Sequence, residues 1–244
     1  MHNVVMAQVQ GGLKRYLLRE YGSWGVMSLS FISGLVAVPR VSAAAGAAFI
    51  SLALFINSKQ ALTVWMRSTT ADRTAPMIVF LVQLLAASTL FAAVAGPELT
   101  ALMPYAVVPA AYLLSLKLLG EHSIITEVLG FILLSLSSLV ARFTAAGGID
   151  ARLFLAVALF FTAGVFRMRI QFRKEIFYRI VMVVYVLLAV AIYQAAGLPL
   201  LLLLPLADNL LFAVFLYRVG LSTTGWIEMT KGIAFTVLLA CFHA

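Results

Sequence analysis

Asp208 and Asn209 lie side by side within an apolar run that begins at Leu200. A carboxylate inside a bilayer costs free energy, so its presence needs a reason. One reason is a midplane site for a proton or a polar substrate group. The other is a hydrogen bond to a neighbouring helix, with burial keeping the acid neutral. Pro205 precedes the pair by three residues, where it kinks a helix and frees backbone carbonyls. The remaining polar chemistry gathers near the ends of apolar runs: Arg19 and Glu20; Asn57 and Lys59; Glu121, His122 and Glu127; Arg167, Arg169, Arg173 and Lys174; Glu228 and Lys231. Arg169 and Arg173 are four apart and share a helix face, so together they can grip a phosphate-like group. Arg167, two residues from Arg169, points elsewhere. Membrane topology and contact with anionic lipids account for the same arginines without any site.

The elements that must position these residues are membrane helices. The chain has 244 residues, of which 64% are hydrophobic and 11% charged. A soluble domain carries roughly 25% charged residues. Nine apolar stretches, each near the length of a bilayer crossing, are predicted at 22–39, 41–57, 75–95, 98–118, 123–145, 151–169, 176–196, 199–218 and 226–242. Breakers mark four short connections: Pro39-Arg40, Gly96-Pro97, Gly147-Gly148 and Gly197-Leu198-Pro199. No hydrophilic block is long enough for a second domain. The predicted fold class is therefore an all-α, polytopic helical bundle forming one transmembrane domain over 1–244.

The net charge of +8 does not point to nucleic acid, because fourteen of the seventeen basic residues fall on one side of the predicted bundle. Only Arg40, Arg142 and Arg152 fall on the other. The positive-inside rule then predicts a multi-pass membrane protein with its N-terminus in the cytoplasm and its C-terminus outside. A secretory signal peptide is the competing reading of the first apolar run, with Ser42-Ala43-Ala44-Ala45 as a small-residue cleavage site. The long basic region and long apolar run favour a retained helix. Residues 5–20 can form a helix on the membrane surface, with Val5, Val9, Leu13 and Tyr16 on one face.

Metal and cofactor chemistry find no support in the motifs. Cys241 is the single cysteine, and His2, His122 and His243 lie on three separate segments. Gly-rich phosphate loops, zinc motifs and a nucleophile elbow are absent from the sequence. Gln83 is predicted to make an interhelical hydrogen bond, and Trp24, Trp65 and Trp226 to sit at the membrane interface.

Leu18-Arg19-Glu20-Tyr21-Gly22-Ser23-Trp24-Gly25 resembles the Arg-Glu-His-Gly-Ala-Trp-Ala opening of the YwiC-like family of bacterial membrane proteins. Tyr21 stands where that family usually has histidine. Gly225-Trp226-Ile227-Glu228 is similar to the family's Gly-Trp-Thr-Glu segment before the last helix. The resemblance implies architecture rather than an activity. Nine helices with a cytoplasmic N-terminus are also similar to the UbiA prenyltransferase superfamily, whose aspartate-rich motifs hold magnesium and an isoprenoid diphosphate. Asn57 matches the leading asparagine of the first such motif, but Ser58, Lys59 and Gln60 follow it. The second motif region is basic, from Arg167 to Arg173. Without carboxylates there, the resemblance does not extend to magnesium-dependent prenyl transfer.

Three readings follow. The first is a UbiA-like bundle whose cytoplasmic-facing cavity binds an anionic lipid or isoprenoid-type amphiphile. Arg169, Arg173 and Lys59 would meet the head, with Arg19, Asn57 and Arg167 nearby, and Glu20, Glu127 and Glu228 would order the site or handle protons. The second is a small transporter with its midplane site at Asp208 and Asn209. The third is a subunit of a membrane complex that meets a protein partner. No cofactor is expected in any of them.

Overall fold

The computed structural model describes residues 16, 18, 20–36, 38, 41–68, 73–217 and 219–243, with the side chains of Pro97 and His243 excepted. Arg19, Arg40, Arg218 and the proposed surface helix before Tyr16 fall outside the described residues. Within them there are nine α-helices and no strand. The helices are α1 (Tyr21–Val36), α2 (Ala43–Arg67), α3 (Thr74–Ala95), α4 (Val107–Leu119), α5 (Ile124–Ala146), α6 (Ala151–Arg173), α7 (Ile176–Ala195), α8 (Ala207–Phe215) and α9 (Leu221–His243). A 3₁₀ segment, Gly96–Ala106, leads into α4, and another, Leu200–Leu206, leads into α8. Proline lies inside each, at Pro104 and Pro205. Its missing N–H withholds one hydrogen bond of a regular α-helix. The kink expected at Pro205 is thus a change of helix type just before Asp208.

Seven described helices are long and apolar enough to cross a membrane. The predicted count holds, but three boundaries move, each where polar residues hide a continuing helix. α2 runs ten residues past Asn57, so Asn57 and Lys59 lie inside it rather than at its end. The side chain of Asn57 is occupied by the Leu18 N–H (2.9 Å), and Ser58 Oγ donates to the Phe55 carbonyl (2.7 Å). Local polar groups satisfied in this way do not stop a helix. α6 extends to Arg173, which places Arg167 well inside it. α9 starts at Leu221, so Glu228 and Lys231 are two to three turns in. Its first turn is polar, but Thr224 Oγ1 donates back to the Gly220 carbonyl (3.1 Å) and the helix propagates.

The described residues divide into two compact units. The first comprises residues up to 21 and 42–99 and contains the hairpin of α2 and α3. Ser42 caps α2 by accepting the Ala45 N–H (3.1 Å). Ser51 Oγ donates to the Ala87 carbonyl (2.8 Å), and Phe55 meets Phe91 edge to face. Most of α3 is uncovered, with Met77, Ile78, Leu81, Val82 and Leu85 all exposed. Such a surface suits hydrocarbon and not water. Gln83 is not held as expected, because its Oε1 is buried without a hydrogen-bond partner.

The second unit comprises 22–41 and 100–244. α6 is its most enclosed helix, with α5, α7 and α8 packed on it. Asp150 caps its start by accepting the Leu153 N–H (2.9 Å). Phe160 of α6 stacks on Phe235 of α9, Phe161 meets the same ring edge to face, and Tyr193 of α7 donates to the Ala156 carbonyl (2.8 Å). Small residues let α1 and α5 approach backbone to backbone: Ser137 Oγ donates to the Met27 carbonyl (2.9 Å), and Gly34 lies against Ser138. Helices in lipid associate through such contacts, because apolar burial gives no advantage there.

A Cβ placed on Gly34 would lie 2.2 Å from the Ser138 carbonyl oxygen and 2.8 Å from Ala141 Cβ. Gly34→Ala is therefore expected to destabilise the protein by about 1–3 kcal/mol. Gly22→Ala, with nothing within 4 Å of the added carbon, serves as control. Thermal unfolding in detergent tests this, and equal melting temperatures for the two variants would refute the close contact.

Candidate functional site

Arg167 is fully buried. A guanidinium has five donors and no route to neutrality by losing a proton, so its burial demands acceptors and countercharge. α8 brings Asp208, α9 brings Glu228 and Lys231, and the α8–α9 connection brings Tyr217. Arg167 Nη1 pairs with Asp208 Oδ2 and reaches the Asp208 carbonyl (3.4 Å). Its Nη2 donates to Tyr217 Oη (3.1 Å), and Tyr217 in turn donates to Asp208 Oδ1 (2.6 Å). Nε lies 3.2 Å from Glu228 Oε1 but off the line of a hydrogen bond. The guanidinium carbon sits 4.5 Å from the Phe212 ring centre, a cation–π contact.

Lys231 is the second buried cation. It pairs with Glu228 Oε1, donates to Asn209 Oδ1 and lies 3.6 Å from Asp208 Oδ2. Two cations thus face two carboxylates, and the cluster is neutral when all four are ionised. The carboxylates are the more open half: side-chain exposure is 32% for Asp208 and 27% for Glu228, against 0% for Arg167 and 8% for Lys231. Two buried donors, Arg167 Nε and Asn209 Nδ2, have no acceptor in good geometry. The break before α8 has a plain consequence, since it sets Asp208 and Asn209 in the first turn of a new helix, facing α6 and α9.

The other residues expected to form a site fall into separate groups. Arg169 bonds Glu127 Oε2 (2.8 Å) and the His122 carbonyl, which ties the end of α6 to the start of α5. Arg173 is exposed, with its guanidinium 6.0 Å from the Tyr178 ring centre. Arg169 is thus already engaged by a carboxylate and a carbonyl. In the first unit, Glu20 pairs with Lys59 (3.1 Å) beside the Leu18–Asn57 bond. Arg179, counted with the topology charges, donates to the Ala213 and Val214 carbonyls (2.8 Å for the latter), at the end of α8 where a cation is favoured. A cavity of about 530 Å³ opens where α6 and α8 end. Ile170, Phe212, Leu216 and Val219 give it apolar walls, and Gln171, Lys174 and Tyr217 give it a polar edge.

Motif reading singled out Asp208, Asn209, Arg167 and Glu228 but scattered them over different roles, and it treated Lys231 as a topology charge. Their common signal was an ionisable residue inside a span. Arg167 and Lys231 lay near the ends of their predicted spans, where a basic residue reads as an interface charge, and the longer α6 and α9 set them well inside.

Fold and site together define a multi-pass membrane protein with a charge-compensated polar cluster inside a helical bundle. More particularly, the family described as YwiC-like protein matches residues 17–142, and the chain belongs to that family. The match spans α1 to α5 and stops short of the cluster, including the Gly225–Glu228 segment. Neither a curated protein nor a solved structure matches the chain significantly.

Arg167→Met would leave Asp208, Glu228 and Lys231 with one uncompensated negative charge. The expected loss is about 3–5 kcal/mol. The exposed Arg173→Ala is expected to stay within about 0.5 kcal/mol of the parent. Unfolding in detergent measures both, and similar losses for the two would show that the cluster is not energetically coupled.

Proposed function

We propose that the protein is a small bacterial inner-membrane transporter whose solute site is the Arg167–Asp208–Glu228–Lys231 cluster. The observation that carries this reading is a neutral set of four ionisable groups from three helices, placed at the break before α8. Discontinuous helices commonly form the solute and coupling-ion sites of secondary transporters. Ionisable groups within spans mark proton and ion pathways. Partial exposure of the two carboxylates supports access from an aqueous path. The orientation belongs to the same proposal, with the N-terminus cytoplasmic and the C-terminus outside. It rests on the excess of loop arginines and lysines, from which Arg167 and Lys231 are now removed.

A second reading, binding of an anionic lipid or isoprenoid-like amphiphile in a UbiA-like bundle, is favoured by the cavity at the ends of α6 and α8. Its apolar walls suit a tail and Lys174 suits a head. The Arg169–Arg173 grip is the weaker part of that reading, because Arg169 is engaged by Glu127. A role as a non-catalytic subunit beside a membrane-protein partner has no specific contact to support it.

Untargeted metabolite profiling of cells expressing the parent, Asp208→Asn or Arg169→Ala/Arg173→Ala separates these readings. The transporter reading expects a polar solute to shift between cytoplasm and medium with the parent and the double variant, and the shift to disappear with Asp208→Asn. Native mass spectrometry of the purified proteins covers the lipid reading. A discrete anionic lipid lost on Lys174→Ala, with no solute shift, would displace the transporter.

A further inference from the structure

We propose that the cavity at the ends of α6 and α8 is the loading site of the cluster, and that it takes a small amphipathic monocarboxylate, an apolar body carrying one carboxylate. The inference rests on the solute-site reading above and names its substrate class. Cavity and cluster share a wall. Phe212 and Tyr217 line the cavity, and the same two rings face the Arg167 guanidinium, whose carbon lies 4.5 Å and 5.9 Å from their centres. Tyr217 also donates to Asp208 Oδ1 (2.6 Å). One layer of side chains therefore separates the open cavity from the buried guanidinium.

The lining defines the ligand. Buried Ile170 and Phe212, with Leu216 and Val219, give an apolar bed for the body. Among the described lining residues Lys174 is the one charged group, and no described carboxylate pairs with it. Gln171 Nε2 is spent on the Val219 carbonyl and the Tyr217 hydroxyl on Asp208, which leaves Lys174 as the donor at the polar edge. One lysine unopposed by a carboxylate suits one negative charge, and its three N–H groups suit carboxylate oxygens. The volume of about 530 Å³ falls within the range of about 300–1,000 Å³ usual for small-molecule pockets. The backbone adds an independent mark. Among the described residues two non-glycines have a left-handed backbone, Lys174 (φ 53°) and Leu216 (φ 49°), and both line this cavity. Each ends its helix at a position where glycine costs least. Side chains there give the cavity its cation and part of its apolar wall, and such strained residues gather at ligand sites.

The test uses the whole purified protein in phosphatidylcholine nanodiscs. The probe is a benzophenone carboxylate, an aromatic monocarboxylate that crosslinks on illumination. Labelled peptides, located by mass spectrometry, should come from the end of α6 and the α8–α9 connection. Lys174→Gln should lower that labelling about fivefold, the loss of one partly exposed ion pair. Lys174→Arg, which keeps the charge, should restore it. Lys117→Gln removes an exposed lysine at the end of α4 and should leave it unchanged. The neutral amide of the probe should label the region weakly and without regard to Lys174. Labelling elsewhere, labelling by the acid that ignores Lys174, or amide labelling as strong as the acid's would overturn the inference. A phosphatidylglycerol that co-purifies with the parent and is lost from Lys174→Gln would assign the cavity to a lipid headgroup and overturn it too. In cells, the solute whose shift disappears with Asp208→Asn should itself be an apolar monocarboxylate, and Lys174→Gln should cut its shift about fivefold. If the labelling fails while Asp208→Asn still abolishes the solute shift, the transporter reading stands without this site. If Asp208→Asn leaves the shift intact, the transporter reading fails and the loading role falls with it.

Discussion

Burial of the Arg167 guanidinium is the constraint on which the second unit depends. The group cannot shed its charge, so the fold must bring carboxylates to it. One carboxylate comes from α8 and the other from α9, and Lys231 then needs both of them as well. Phe212 and Tyr217 close the aromatic side of the guanidinium. A regular helix through Pro205 would lack a hydrogen bond. The chain there is 3₁₀ instead, which interrupts the α-helix at Pro205 and begins α8 just before Asp208. Arg179 then satisfies carbonyls at the other end of the same short helix.

Elsewhere the second unit is held by close approach rather than by apolar burial. Serine and glycine on α1 and α5 bring backbones together, and Ser33 of α1 meets Thr236 of α9 (2.9 Å). Many large apolar side chains, among them Leu113, Leu187 and Phe215, stay on the outside, where hydrocarbon receives them. The polar cluster stands out against this background. It concentrates the charge of three helices at one place.

The first unit has its own polar arrangement. The chain before α1 is tied to the interior of α2 by the Leu18–Asn57 bond and the Glu20–Lys59 pair. Leu18 and Glu20 belong to the segment that resembles the YwiC-like family, and the match at residues 17–142 includes all four residues. The exposed ion pair adds little stability by itself, while the amide bond occupies a side chain that would otherwise be an unpaired polar group within a span. Family membership bears on this arrangement more directly than on the cluster, which lies beyond the matched residues.

Helix number, membrane class and the family were legible in the residues, because a bilayer forces long apolar runs and punctuates them at Gly and Pro. Asp208 and Asn209 were legible for the same reason, since an ionisable pair inside an apolar run has no cheap explanation. Helix ends at Asn57, Arg167 and Glu228 were not legible. Polar residues read as loop by hydropathy, yet they continue a helix when side chains satisfy their polar groups. Partnership was not legible either. Arg167 and Arg169 look alike in sequence, but two residues turn a helix by more than half a circle. Packing sends Arg167 to Asp208 and Glu228, and Arg169 to Glu127. The sequence by itself determined how many helices there are and which charges lie within reach of them. Only tertiary structure decided which charges meet, because burial and countercharge are properties of helices packed together.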